Sequence, residues 1–171
     1  MSRFRSLRWR LTFLYLGLLS VLLLAGGVAQ YFAAREVLLR TNADALTSEY
    51  KADLLAFRKQ IGTRPAAAIR ALMLSQQFAL ELASGHTSAA IFDPNGGFAA
   101  SAAATTTPDQ SPPYLTAGQY LNAARGKPKP YYLASSSDGA THLVVLNVVR
   151  NGTKAVAIVQ LSVPTDAIDQ A

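Results

Sequence analysis

The chain has 171 residues, no cysteine and a formal net charge of +6 at pH 7. The lack of cysteine excludes disulfides, thiolate catalysis and cysteine-ligated metal sites. Four basic residues lie within residues 1–10, whereas residues 35–171 carry 12 basic and 10 acidic side chains, a net charge of only +2. Because no later basic run is interleaved with aromatic residues, we expect no nucleic-acid partner.

An uncharged segment of 24 residues, LTFLYLGLLSVLLLAGGVAQYFAA, separates Arg10 from Arg35. As an α-helix it would extend about 36 Å, enough to cross a hydrocarbon core of about 30 Å. The arginines that precede it predict a cytoplasmic N-terminus. We therefore predict a cytoplasmic basic tail at 1–10, a transmembrane helix at 11–34 in the inner (plasma) membrane, and an extracytoplasmic location for residues 35–171.

A cleaved signal peptide is the alternative interpretation of the same segment. Its apolar core would be residues 11–25, and the small residues Gly27 and Ala29 would precede a cut at Gln30. The uncharged run is long for a signal core, which usually has about 7–15 residues. Both interpretations place most of the chain outside the cytoplasm.

Residues 35–61 are predicted to continue the helix out of the membrane. Apolar or small residues recur there at spacings of three and four: Leu39, Ala43, Leu46, Tyr50, Leu54, Phe57 and Ile61. This stripe could pack on the chain's own sheet or on a second copy of the chain. Gly62 is expected to end the helix. A second helix is predicted to begin at Thr63-Arg64-Pro65 and to stop at Gly85.

The hydrophobic period changes to that of β-strands after the second helix. The predicted strands are 89–92, 98–102, 131–136, 141–149 and 155–163. The turn sequence DPNGG joins the first two as a hairpin, and Asp138-Gly139 and Asn151-Gly152 join the last three as a meander.

A polar, proline-rich loop and a short helix at 115–125 are predicted between the hairpin and the meander. Thr165 is predicted to cap a last helix. These elements indicate an α+β fold in which a five-stranded antiparallel sheet has flanking helices. The long helix would cover one face of the sheet and residues 103–130 the other.

Three segments carry a resemblance to a known family. They are RSLRWRLTFLYLGLLSVLLL, the hairpin AAIFDPNGGFAAS, and the closing pair HLVVLNVVRNGTKAVAIVQLSVPTDAI. Together they resemble the N-terminal part of a bacterial two-component sensor histidine kinase, with a PAS-like, Cache-type sensor domain at 35–163. The resemblance implies that residues 164–171 begin an exit helix, and that the chain is truncated before a second membrane helix.

The resemblance also implies a function, the extracytoplasmic signal-sensing input module of a sensor kinase in a two-component phosphorelay. Such a module would be a homodimer in the membrane, bind a small-molecule ligand and act on a response regulator through the missing region. ATP and Mg²⁺ are expected only in that region, so we predict no cofactor and no catalytic residue here. The alternatives are a membrane-anchored or secreted binding protein, or the input domain of a chemotaxis or cyclic-dinucleotide receptor.

Residues 103–133 are the candidate ligand pocket, because PAS-like sensors bind ligands between the sheet and the segment that covers it. The candidate residues are Tyr114, Tyr120, Arg125, Tyr131 and Tyr132. Tyrosine offers an apolar ring with a polar tip, and the basic groups would suit an anionic ligand. Ordinary packing is the alternative. Strand alternation puts Tyr131 and Tyr132 on opposite faces, so at most one of them can line a given pocket.

The two histidines, His86 and His142, have no second histidine nearby in sequence, so we predict no metal site. His86 is expected in a solvated turn, and His142 could face either side of its strand. A free imidazole titrates near pH 6.5, so pH sensing is a further role open to a histidine. No G-x-S-x-G sequence is present, and we expect no serine catalysis.

Overall fold

The computed structural model describes residues 3–61, 66–106 and 112–169. Helix α1 spans Arg3–Ile61. Its apolar stretch is long enough to cross a membrane, on grounds of length and composition only, and a signal sequence near the N-terminus would meet the same criterion. The chain divides into two compact units, Met1–Leu38 and Leu39–Ala171. The predicted end of the helix at Gly62 and the predicted start at 63–65 lie outside the described residues.

Two short helices, α2 at Ala66–Met73 and α3 at Gln76–Leu82, occupy the place of the single predicted second helix, so that prediction was wrong. The break occurs because Ser75 has an extended backbone (φ −90°, ψ 155°) and caps α3. Its hydroxyl oxygen accepts a hydrogen bond from the Phe78 N–H at 3.3 Å. A capping serine satisfies a free helical N–H, which favours a new helix start over continuation.

The α+β prediction is confirmed, with a five-stranded antiparallel sheet in the order β2-β1-β5-β4-β3. The strands are β1 at Ser88–Phe92, β2 at Phe98–Ala102, β3 at Tyr132–Ser135, β4 at Thr141–Asn151 and β5 at Lys154–Pro164. The hairpin and the meander were predicted correctly, and the strand ends shift by one or two residues. Pairing of β1 with β5 joins the hairpin to the meander.

The first face of the sheet, here the α1 face, packs against α1, α2 and α3. Leu39, Ala43 and Leu46 of α1 pack with Leu143 and Val145 of β4. Farther along, Tyr50 and Phe57 join a larger core with residues of α2, α3 and the strands β1, β2, β4 and β5. Within the unit Leu39–Ala171, the predicted stripe therefore packs on the chain's own sheet.

The second face, here the α4 face, is covered by helix α4 at Ala117–Ala124 and by the segment that precedes it. The Thr116 N–H donates to Gln119 Oε1 at 2.7 Å, which fixes the start of α4 where the sequence predicted a short helix. Helix α5 at Thr165–Asp169 follows β5 directly. The Thr165 hydroxyl donates to the Thr141 carbonyl at 3.0 Å and so ties the start of α5 to the start of β4.

Candidate functional site

The α4 face has an apolar half and a polar half. In the apolar half, Phe92 stacks on Tyr120 with ring centroids 4.1 Å apart, and Val144, Leu146 and Ile158 pack beside them. The strands contribute four buried polar side chains to the polar half, Ser88, His142, Gln160 and Ser162, and Ser136, just after β3, is buried beside His142. Buried polar side chains are normally hydrogen-bonded, so the partners of these five decide whether the polar half is structural.

Tyr120 and Gln160 form a satisfied network. The Tyr120 hydroxyl donates to Gln160 Oε1 at 2.7 Å and accepts from the Leu115 N–H at 3.0 Å. Gln160 Nε2 donates to the Pro113 carbonyl. Burial raises the pKa of Tyr120 to about 12, partly offset by the Leu115 hydrogen bond. This network holds the 113–115 segment on the sheet, which is a structural role.

Ser162 and His142 each present an open hydrogen-bonding atom. Ser162 lies on β5 directly opposite Ser88 of β1 and Val144 of β4. Ser88 Oγ accepts from the Ala104 N–H at 3.0 Å. Within the part of the chain that the structure describes, Ser162 Oγ and His142 Nδ1 have no hydrogen-bond partner, although the residues are only 0% and 1% exposed.

Sheet geometry puts the two open atoms on the same face. His142 is two residues before Val144 on β4, so it is the diagonal neighbour of Ser162. Diagonal neighbours across an antiparallel pair are about 7–8 Å apart at Cα.

The tautomer of His142 follows from its neighbours. His142 Nε2 lies 3.1 Å from Ser136 Oγ, and the Ser136 hydroxyl donates to Asp138 Oδ1. Because the Ser136 hydroxyl group donates its hydrogen to Asp138, the Ser136 oxygen is the acceptor in the contact with His142, and His142 Nε2 carries the proton. His142 Nδ1 is then an acceptor with a free lone pair.

Burial favours the neutral form of this histidine. Desolvation lowers the pKa of His142, against smaller opposing effects of Asp138 and Asp166. The hydrogen bond from Ser136 lowers the pKa of Asp138, with further help from the Ala140 N–H. The acid in this group bonds to the serine and not to the imidazole, so Ser136, His142 and Asp138 lack the arrangement that serine catalysis needs.

The structure does not bring the five predicted site residues together. Tyr120 and Tyr132 are buried on the α4 face, and Tyr132 Oη accepts from the Lys129 N–H at 3.3 Å. Tyr131 packs on the α1 face, so the predicted separation of Tyr131 and Tyr132 is correct. Tyr114 is 57% exposed, and its ring meets the edge of Phe92 at 6.2 Å.

The basic candidate is also outside the polar half. Arg125 is exposed at the C-terminal cap of α4, and Lys127 and Lys129 are exposed in the loop that follows. Exposed flexible cations do not define an anion site by themselves. His86 is exposed in the Ser84–Thr87 turn, as the sequence predicted, and its Nδ1 lies 3.0 Å from Thr106 Oγ1.

Sequence reasoning missed Ser162 and Gln160 and left the face of His142 open. One signal was present in AVAIVQLSV, where Gln160 and Ser162 alternate within an otherwise apolar strand. When a strand is buried on both faces, polar residues are expected on a face only if that face packs against other polar groups.

Two surface grooves lie away from the α4 face. One of about 180 Å³ is lined by Asp53, Phe57 and Glu81, among others. The other, of about 370 Å³, has Arg70 and Lys154 on its walls. Neither contains a predicted site residue.

Comparison of the chain with protein-family models, with curated proteins and with solved structures found no significant match.

Proposed function

We propose that the chain is the extracytoplasmic sensory input module of a membrane-bound sensor histidine kinase. The proposed topology has residues 1–10 in the cytoplasm, residues 11–34 in the membrane and residues 35–171 outside. The four arginines before the apolar segment support this orientation. The sheet order β2-β1-β5-β4-β3, with helices on both faces, is compatible with a PAS-like, Cache-type domain. The kinase, its ATP and Mg²⁺, and the contact with a response regulator would belong to the region after residue 171.

The observation that carries the sensory role is the pair of open, buried atoms Ser162 Oγ and His142 Nδ1. A buried polar group without a partner costs about 1–3 kcal/mol. A domain with only a structural role would be more stable with apolar residues at both positions. A bound ligand would supply the missing partners.

The chemistry of these atoms defines the class of ligand. His142 Nδ1 accepts, so the ligand must offer an N–H or O–H donor, and Ser162 can donate or accept. The buried side chains of the polar half are three serines, a glutamine and a neutral histidine. An anion buried there would lack a counter-charge, and the carboxylates Asp138 and Asp166, which act on His142, would oppose it. We therefore favour a small, neutral, polar molecule with hydroxyl or amide groups over the anion that the basic loop residues suggested.

The position of Ser162 links the proposed ligand site to helix α5, through which a signal would leave the domain. Ser162 is on the last strand, and α5 begins at Thr165. His142 pairs with Pro164, the last residue of that strand. A ligand that binds one arrangement of this strand end more tightly would shift the population of signalling states by that difference in affinity.

A ligand screen tests the sensory role. The purified chain in detergent is melted with a panel of amides, polyols and sugars, and with dicarboxylates for comparison. A neutral compound at about 100 times its Kd is expected to stabilise the fold by about 2.7 kcal/mol, a shift of several degrees in Tm. Ser162→Ala should remove this shift, whereas the exposed Ser137→Ala should retain it. An equal shift in Ser162→Ala would contradict the site.

Two further measurements test the membrane context. Alkaline phosphatase, which is active only outside the cytoplasm, is expected to be active when it is fused after residue 171 and inactive when fused after residue 10. The reading frame is expected to continue after residue 171 into a second apolar helix and a kinase core. A stop codon there would favour a membrane-anchored or secreted binding protein.

A further inference from the structure

The groove of about 370 Å³, here called the basic groove, lies at one end of the sheet. Its walls come from helix α2, from the turn between β1 and β2, and from the hairpin of β4 and β5. The residues on these walls include Arg70, Pro94, Asn151, Lys154 and Ala155. Small-molecule sites usually have volumes of about 300–1,000 Å³. The basic groove therefore has room for a small organic ligand.

The basic groove is far from the polar half of the α4 face. Lys154 is the first residue of β5, and Ser162 lies eight residues farther along the same strand. A strand rises about 3.3 Å per residue, so these two residues are about 26 Å apart. The neighbouring strand agrees, because Ser88 at the start of β1 pairs with Ser162, whereas the turn that contains Pro94 follows the other end of β1. A ligand in the basic groove would therefore occupy a separate site.

The walls of the basic groove carry two positive charges. Arg70 is in the last turn of α2 and Lys154 begins β5, and both side chains are exposed. Among the described residues, no acidic side chain lines this groove, and neither cation forms an ion pair. The carboxylate of the β1–β2 turn, Asp93, accepts hydrogen bonds from the N–H groups of Asn95 and Gly97, both at 2.8 Å. The charge of the groove is thus available to an anion.

The hairpin wall of the basic groove is held in place by its neighbours. The Arg150 guanidinium donates to the Thr153 carbonyl at 3.2 Å and to the Ala124 carbonyl at 2.9 Å. These bonds tie the turn before Lys154 to the end of α4. A wall that is ordered before the ligand arrives reduces the entropy cost of binding.

We propose that the basic groove binds an organic phosphate, a phosphate monoester with a small carbon body. A phosphate monoester carries a charge of about −1.5 to −2 at pH 7, which the two cations balance. The Arg70 guanidinium can donate two parallel hydrogen bonds to phosphate oxygens, and the Lys154 ammonium adds a point charge. The side-chain amide of Asn151 can donate to the phosphate or bond a hydroxyl of the body. Pro94 and Ala155 supply apolar contacts for the carbon atoms.

Calorimetric titration of the full chain in a nonionic detergent tests the proposal, with glycerol 3-phosphate as the probe. Glycerol, inorganic phosphate and succinate are the comparison ligands, since they keep only the body, only the phosphate and only the double charge of the probe. We expect one molecule of glycerol 3-phosphate to bind per chain, more tightly than any of the three. The Kd should increase with NaCl concentration, because salt screens exposed charges.

Matched charge removals locate the binding. Arg70→Gln and Lys154→Gln should each raise the Kd for glycerol 3-phosphate about tenfold, because each removes a charged donor to the phosphate. Arg125→Gln and Lys127→Gln remove the same charge from exposed residues that do not line the basic groove. These control variants should keep the Kd within about twofold of the parent. All four side chains are exposed, so the Tm without ligand should stay unchanged.

The proposal does not depend on the sensory role. Ser162→Ala should bind glycerol 3-phosphate as the parent does, whatever it does to the response to neutral ligands. Absence of binding at millimolar probe, or an equal rise of Kd in groove and control variants, would overturn the proposal. Equal or tighter binding of inorganic phosphate or succinate would also overturn it, as would loss of probe binding in Ser162→Ala.

Discussion

Replacing Ser162 by alanine removes one buried hydroxyl that has no partner among the described residues. Removing a buried polar group that has no hydrogen-bond partner is expected to raise the free energy of unfolding by about 1–3 kcal/mol. The space left by one oxygen, about 15 Å³, costs about 0.4 kcal/mol at 24 cal/mol per Å³. We therefore expect Ser162→Ala to be more stable than the parent by about 1 kcal/mol, or about 4 °C in Tm for a domain of this size.

Ser88→Ala is the matched control, because it makes the same change directly opposite on β1. Ser88 Oγ accepts the Ala104 N–H, and both residues are buried. Its loss leaves that N–H unpaired and should destabilise the fold by about 1–3 kcal/mol. The assay is urea denaturation followed by circular dichroism, without ligand. If both variants lose stability equally, Ser162 Oγ has a structural partner and the argument for a ligand at this atom fails.

Three further predictions concern the same unit. The pKa of His142 in the folded chain lies below its ordinary value of 6.5. As the pH falls, the unfolded chain therefore takes up this proton at a higher pH than the folded chain does, and the stability of the fold should decrease below about pH 6.5. Melting experiments from about pH 8 to about pH 5 should show this decrease in Tm, which His142→Gln should reduce and His86→Gln should retain. Tyr120→Phe leaves the buried Gln160 oxygen without its 2.7 Å donor and should cost about 2 kcal/mol in urea denaturation, with unchanged stability as the contrary result. Gly96 has φ +87°, and an added Cβ would lie 3.4 Å from Tyr120 Cβ, so Gly96→Ala should lower stability by about 1–2 kcal/mol in the same assay, whereas a neutral effect would contradict the strain.

Local sequence patterns were sufficient for most of the fold. The stripe from Leu39 to Phe57 and the alternating strands follow from periods of 3.6 and 2, which the backbone imposes on any amphipathic segment. Turn sequences such as DPNGG determined the hairpin because Asp93 can bind the backbone N–H groups of Asn95 and Gly97, as it does at 2.8 Å. The break at Ser75 was missed because a serine within an apolar helical pattern is compatible with either one helix or two.

The candidate site was less accessible from the sequence. Tyr120 was predicted as a ligand residue, but its hydroxyl is used by Gln160, a residue 40 positions away. Tyr131 was correctly separated from Tyr132 by alternation alone. Ser162 was not predicted, because a serine in a strand is unremarkable until the face it occupies and the partners on the neighbouring strands are known.

The sequence by itself determined the apolar segment with its arginine flank, the helix and strand types, and the α+β class, because each depends on residues that are close together in the chain. Only the tertiary structure decided that the stripe of α1 packs on the chain's own sheet, that β1 pairs with β5, and that Ser162 and His142 share a buried face. Those features depend on strand register and on packing between distant segments. A register shift of one residue would turn every such side chain to the other face.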